Sequence, residues 1–384
     1  MKKDGVLTWV ELSRSALANN IKELSRLAGS RLLAVSVKAN AYGHGFKEIV
    51  DLLKEKNEVA YLTVHSLEEA VLCRQVGWKK KIMVLGPVPL AHLAAVFEYQ
   101  LEPVVFNRET LDMLGKISSR LRKHIATHLK LETGTHRQGI MEKDLPVFAA
   151  LYKKYPYLKK PLGASMHFAN IEDTTVHEYA EYQLNNYNRL VKVMTRLGIK
   201  PQIRHTASSA ALILFEHTRF EMVRPGIAVY GHWPSKETYL SYRLEGGRNN
   251  IFQPVMSFKT CITQIKDIPA DSFVGYGCTY RTTAPTRLAV LPVGYYDGYD
   301  RALSNRAYVL VKGCRAPVRG RICMNLMMVD ITDIKGVKLE DEVVLIGRAG
   351  KEKITAEQLG DWQGTINYEI LSHISQALPR KIVK

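Results

Sequence analysis

Lys38 ends the apolar run Leu32-Leu33-Ala34-Val35-Ser36-Val37. An ammonium in such a place is costly unless it is paired or neutralised. Two readings fit the position. Burial lowers a lysine's pKa toward the nucleophilic amine that condenses with a carbonyl as a Schiff base, or the side chain snorkels to solvent from a strand end. Other polar residues follow other apolar runs: Lys130, Glu132 and Arg137, then His167, then His205 through Ser209, then Arg224-Pro225-Gly226. Ser208-Ser209 precedes the helical stretch 210–215, so its hydroxyls and the first amides could bind a phosphate at a helix N-terminus. The same pair serves equally as a plain N-cap. Gly226 either lets bare backbone approach an anion or fills a turn. Together these groups suit a carbonyl compound that carries a phosphate.

The elements that must position them alternate. Strand-like runs at 32–38, 59–64, 81–85, 102–106, 125–131, 162–168, 202–206 and 222–224 are separated by helical patterns such as 13–27, 66–75, 107–121 and 177–197. Ser13 and Ser66 are N-cap candidates, and Glu69 stands at capping-box spacing from Ser66. Eight alternations predict a (β/α)8 TIM-type barrel over 10–240, whose catalytic groups belong at the C-terminal strand ends. After the polar stretch 244–250 the pattern turns to β-branched runs at 256–265, 287–293, 307–311, 322–330 and 342–346, with no helix until 355–361. That predicts a mostly-β C-terminal domain over 241–384, with segment 1–9 pairing with it.

Composition limits the function classes. The 384 residues are too many for one core of ordinary size, and 46% hydrophobic with 24% charged residues is a globular balance. The net charge of +17 is spread along the chain, with only short clusters such as Lys79–Lys81 and Lys159-Lys160, and no element organises it for nucleic acid. It reads as a field that attracts anions. No run approaches the roughly 20 apolar residues of a membrane span, and the opening segment lacks a signal-peptide core, so a cytoplasmic protein is expected. Five scattered cysteines read as reduced thiols, with no metal site.

The sequence resembles alanine racemase over nearly its whole length. The similarity is carried by Val37-Lys38-Ala39-Asn40-Ala41-Tyr42-Gly43-His44-Gly45, Met222-Val223-Arg224-Pro225-Gly226-Ile227, Gly275-Tyr276-Gly277, Pro292-Val293-Gly294-Tyr295-Tyr296-Asp297-Gly298, Gly320-Arg321-Ile322-Cys323-Met324 and Ile366-Asn367-Tyr368-Glu369. The resemblance implies a homodimer with shared active sites and pyridoxal 5'-phosphate as cofactor. It also implies a two-base interconversion of L- and D-alanine that supplies peptidoglycan synthesis. Lys38 would hold the cofactor and act as one base, with Tyr276 of the neighbouring subunit as the other. Arg224 would contact the pyridine nitrogen. His167 would support the ring and, with Arg224, form a cationic network favouring the Tyr276 phenolate. Tyr42, Ser209, Gly226, Ile227 and Tyr368 would bind the phosphate. Arg137 would hold the phenolic oxygen and, with the Met324 amide of the neighbouring subunit, the substrate carboxylate; Tyr295 and Arg301 would line the entrance.

Several positions depart from the family's usual residues: Asn325 for Asp, Thr135-His136 for small or apolar residues, Ser208 for Asn and Glu132 for Asp. They bear on substrate range, not on reaction type. Lys130 matches a lysine that is carbamylated in some relatives. The alternatives are a broader racemase acting on serine, lysine or arginine, a two-domain decarboxylase, and a non-enzymatic cofactor carrier. The carriers lack a C-terminal domain, and the decarboxylases' glycine-rich phosphate loop is missing here.

Overall fold

Strand β1 (Thr8–Ser13) opens the chain, and the next eight strands build one sheet. They are β2 (Leu32–Ser36), β3 (Val59–Val64), β4 (Lys81–Val84), β5 (Glu102–Val105), β6 (His128–Lys130), β7 (Gly163–Ser165), β8 (Ile203–His205) and β9 (Met222–Val223). The computed structural model describes residues 5–159, 161–173, 175–249 and 251–384. Lys160 of the basic pair, Asn250 of the polar stretch and residues 1–4 of the opening segment lie outside the described residues. The chain divides into two units, one of Ala16–Ala39 with Ile49–Gln253, the other of Met1–Ser15, Asn40–Glu48 and Pro254–Lys384.

In the first unit the order is β8-β7-β6-β5-β4-β3-β2-β9, every pairing parallel. This is the TIM-type barrel, nearly closed. No ladder joins β8 to β9. Instead the Arg224 amide donates to the Ala207 carbonyl at 2.9 Å, and the Glu221 carboxylate accepts from the Arg204 amide at 2.7 Å and its guanidinium at 2.7 Å. Ala34, Tyr61, Met83, Val104 and Met222 fill one layer of the interior. Burying such side chains is worth about 1.5–3 kcal/mol for each large one. The outer helices follow their sequence signals. Arg108–Leu121 buries Leu111, Leu114 and Ile117, begins with Asn107 accepting from the Thr110 amide, and stops at left-handed Arg122.

The strands are shorter than the apolar runs that predict them. Run 32–38 gives a strand only to Ser36, and run 162–168 only Gly163–Ser165. The residues beyond turn out of the sheet to form the loops at the barrel mouth.

In the second unit, β10 (Met256–Cys261), β11 (Gln264–Ile268), β12 (Thr286–Leu291), β13 (Tyr308–Val311), β14 (Cys314–Pro317), β15 (Met327–Asp330), β16 (Glu342–Ala349), β17 (Glu352–Ile354) and β18 (Arg380–Val383) form two sheets. One runs β14-β13-β16-β10-β1-β18 with β17 beside β16, the other β11-β12-β15. β1 pairs antiparallel with β10 and parallel with β18. The single run expected at 256–265 is in fact two strands in different sheets. The chain changes sheet at Ile262-Thr263, whose amides bond Asp341 in one direction and Val290 in the other. The run expected at 322–330 keeps only β15, because 323–326 is a turn closed by the Cys323 amide on the Leu326 carbonyl.

Candidate active site

Lys38 lies two residues past β2 and begins a backbone conformation rare for L-residues. Ala39, Asn40, Ala41 and Tyr42 all have positive φ, at 54, 54, 53 and 53°. Each such residue costs about 1–2 kcal/mol, so the turn needs external partners. The Glu69 carboxylate is one: it accepts from the Ala39 amide at 2.6 Å and the His65 amide at 2.7 Å. Ser66 caps its helix by accepting from the Glu69 amide at 3.3 Å. The Glu69 side chain, which the capping-box spacing would send back to Ser66, serves the lysine turn instead. Further along, the Asn40 side chain accepts from the Phe46 amide, and buried His44 contacts the Tyr42 carbonyl through Nδ1. Gly43 cannot be replaced there, because a Cβ would run into the Leu371 carbonyl.

The first unit places Lys38, Lys130, Arg137, His167, Ser209, Arg224, Gly226 and Ile227 at or just beyond C-terminal strand ends. Lys38 is half-buried. Burial, then the charge of Arg137, lowers its pKa, while Glu69 opposes the shift. Lys130 is lowered to about 8 by burial and by Arg137 and Arg224. At both lysines burial and the neighbouring cations favour the neutral amine. Arg137 is exposed on the loop between Leu131 and Ile140, beside exposed His136. Ser209 is buried, and its Oγ accepts from the Gly226 amide at 2.9 Å. The neighbouring Ser208 Oγ is buried with no hydrogen-bond partner among the described residues.

Arg224 is fixed differently from the expectation. Its Nη1 donates to Nδ1 of His205 at 2.6 Å and to the His205 carbonyl, and its Nη2 to the Met166 carbonyl at 2.9 Å. Burial lowers its pKa to about 10, so it remains a cation at neutrality. The expected cationic pair of His167 with Arg224 is corrected in two respects. His205, not His167, carries the guanidinium. Burial and the charges of Arg224 and Arg137 lower the His167 pKa to about 3, so that ring is neutral.

The second unit carries the remaining candidates. Tyr276 is 71% exposed, on a turn between Gly275 and Gly277, which have φ of 73° and 71°. Met324 is 55% exposed and followed by exposed Asn325. The Tyr295 amide donates to the Cys323 carbonyl and the Tyr296 amide to that of Met324, a contact only glycine at 294 allows. Tyr295 and Arg301 are exposed on short turns. Tyr42 and Tyr368 have ring centroids 6.2 Å apart. Three residues of the constellation carried no sequence signal as site residues: Glu69, His128 and Glu102; His205 stood among the polar run ends, but not as the partner of Arg224.

Residues 12–234 match the N-terminal domain of alanine racemase and residues 255–382 its C-terminal domain. The alanine racemase of Leptospira interrogans is 37% identical over 384 residues, covering 99% of this chain and 97% of that protein. That of Clostridium novyi is 37% identical over 379 residues, covering 98% and 95%. Among solved structures, the alanine racemase from Bacillus anthracis with bound L-Ala-P has a TM-score of 0.91 at 32% identity, covering 99% of this chain and 95% of that one. With both domains matched and the barrel built as described, this chain belongs to the alanine racemase family, the isomerases that racemise amino acids.

Proposed function

We propose that this racemase interconverts L- and D-alanine in the cytoplasm with pyridoxal 5'-phosphate held on Lys38, as a homodimer with shared sites, and that it supplies D-alanine for peptidoglycan. The observation that carries the reading is Lys38 itself. It is an amine of lowered pKa held at a barrel mouth by a turn that four left-handed residues and a dedicated carboxylate shape. The residues present fit the cofactor. Ser208 offers a buried hydroxyl without a partner among the described residues, next to the Ser209–Gly226 contact and Ile227, and Arg224 keeps donors beyond those used on His205 and Met166. Tyr42 and Tyr368 complete the phosphate contacts in this proposal.

The bound cofactor would delocalise the electron pair left on Cα when its proton departs. The chain's own groups do the rest. Lys38 takes or returns the Cα proton on one face, and Tyr276 from a second copy does so on the other. Free lysine and tyrosine side chains both titrate near 10, so proton exchange near neutrality requires tuning by the surroundings. Arg224, a cation with donors only, discourages protonation of a pyridine nitrogen placed against it and so limits electron flow into the ring. Transamination is the side reaction this suppresses. Arg137 and the Met324 amide of the second copy anchor the substrate carboxylate, with Tyr295 and Arg301 at the entrance. Exposed Phe273, Tyr276, Tyr296, Met324, Leu326 and Ile366 on the second unit are the kind of surface a partner covers.

The test is to incubate the purified, cofactor-loaded protein with individual L-amino acids and measure each D-isomer by chiral chromatography. D-Alanine alone supports the proposal. Comparable D-serine, D-lysine or D-arginine would assign the broader specificity, and no D-isomer would reject the reading.

A further inference from the structure

Beneath Arg224 a line of polar side chains descends through the barrel core. His205 Nε2 lies 2.9 Å from His128 Nδ1, and His128 Nε2 lies 3.1 Å from Glu102 Oε2. Neither histidine is exposed at all, and Glu102 is 3% exposed. The strand register explains how three strands bring them together. His205 is level with Ser165 and Lys130, His128 with Gly163 and Val104, and Glu102 sits two residues below Val104 on β5. Each step drops two residues and so stays on the interior face.

The donors and acceptors allow one assignment. A guanidinium only donates, so His205 Nδ1 accepts and its proton sits on Nε2. That N–H donates to His128 Nδ1, which is therefore bare, and His128 carries its own proton on Nε2 toward the carboxylate. Every bond points the same way, from guanidinium to carboxylate. The other Glu102 oxygen is 2.9 Å from Lys81 Nζ, whose side chain is exposed. Burial pushes the Glu102 carboxyl up, but the hydrogen bond from His128 and the hydrogen bond and charge of Lys81 hold it low.

Two further facts separate this line from incidental core polarity. A Cβ at Gly163 would strike His128 Nδ1, so the residue facing the ring on β7 leaves room for it to reach His205. Moreover, buried ionic networks are on average no more stabilising than apolar packing, so stability alone does not account for one. We propose that Glu102 and His128 are positioning residues, which through His205 fix the orientation of the Arg224 guanidinium at the opposite end of the barrel. The proposal rests on the reading above that Arg224 faces the cofactor ring. Without the carboxylate the run of donors can reverse. His205 would then turn an N–H toward Arg224, donor against donor, and the guanidinium would move.

Neutron diffraction of the cofactor-loaded protein at neutral pH reads the relay directly. The wild type is expected to carry hydrogen on Nε2 and none on Nδ1 in both His205 and His128. In E102Q the run becomes reversible, with hydrogen on His205 Nδ1, and kcat for racemisation falls about 10-fold with KM within about threefold. That is the low end of what losing outer partners costs at metal sites. Hydrogen on His205 Nδ1 in the wild type would overturn the proposal, as would E102Q with the wild-type tautomer and kcat. Should E102Q not fold, G163A, which keeps all four residues but displaces the His128 ring, carries the same expectation and the same refutation. A wild type that racemises nothing yet shows the assigned tautomers would reject the cofactor reading and leave the relay standing.

Discussion

Glu69 offers the sharpest test of how the site is held. Four consecutive left-handed residues stand against the turn by about 4–8 kcal/mol in total, at about 1–2 each. Glu69 opposes this through the 2.6 Å bond it accepts from the Ala39 amide, its other bond holding the His65 amide outside the turn. Such a bond is worth about 1.5–3 kcal/mol, and halving it for a half-exposed carboxylate leaves about 1 kcal/mol. Glu69→Ala should therefore raise local opening of the turn about fivefold, since 1.4 kcal/mol is tenfold. Hydrogen–deuterium exchange by mass spectrometry reports it in peptides covering 37–45, where the Val37, His44 and Gly45 amides are bonded. Glu69→Gln, which keeps one acceptor, should fall in between, at about twofold. Exchange of Glu69→Ala equal to wild type in that segment would refute the reasoning, as would a uniform rise across both units.

Arg224→Glu places a carboxylate where donors are needed, so racemisation should fall and pyridoxamine phosphate should accumulate during turnover; unchanged reaction selectivity would argue against the role given to Arg224. Mixing Lys38→Ala with Tyr276→Phe chains, each inactive alone, should restore about a quarter of wild-type activity, because half of the dimers regain one intact site of two. Hybrids as inactive as their parents would remove the shared site. Acid should destabilise the fold through buried neutral imidazoles. His167, at about 3, and His205, well below 6.5, stay unprotonated when folded but take up protons near 6.5 when unfolded. Stability is then full above about pH 6.5 and falls as pH drops from there toward 3. His167→Gln should flatten the urea-midpoint slope by up to one proton, and a wild-type midpoint that does not move over this range would contradict the burial.

The barrel was legible because eight apolar runs alternate with helical patterns, and Lys38, Arg224 and Ser209 could be placed at one mouth because they follow the ends of such runs. Strand lengths were not, since Val37 and Phe168 are as apolar as the strand residues before them but belong to the loops. The left-handed turn was hidden because Ala39 through Tyr42 contain no glycine to announce positive φ. The relay was hidden for another reason. Glu102 opens its apolar run and His128 interrupts another, places where a polar residue ordinarily marks a strand's wet end or wet face; only the register between β5, β6, β7 and β8 turns them inward. His167 read as a charge because sequence shows the residue type and not the burial that neutralises it.

The central claim is that the Lys38 amine holds the cofactor. Borohydride reduction of the pyridoxal-phosphate-loaded protein, followed by proteolysis and mass mapping, tests it directly. The account predicts a phosphopyridoxyl group on the peptide containing Lys38 and none on that containing Lys130. Modification of Lys130 or another lysine, with Lys38 left bare, would contradict it.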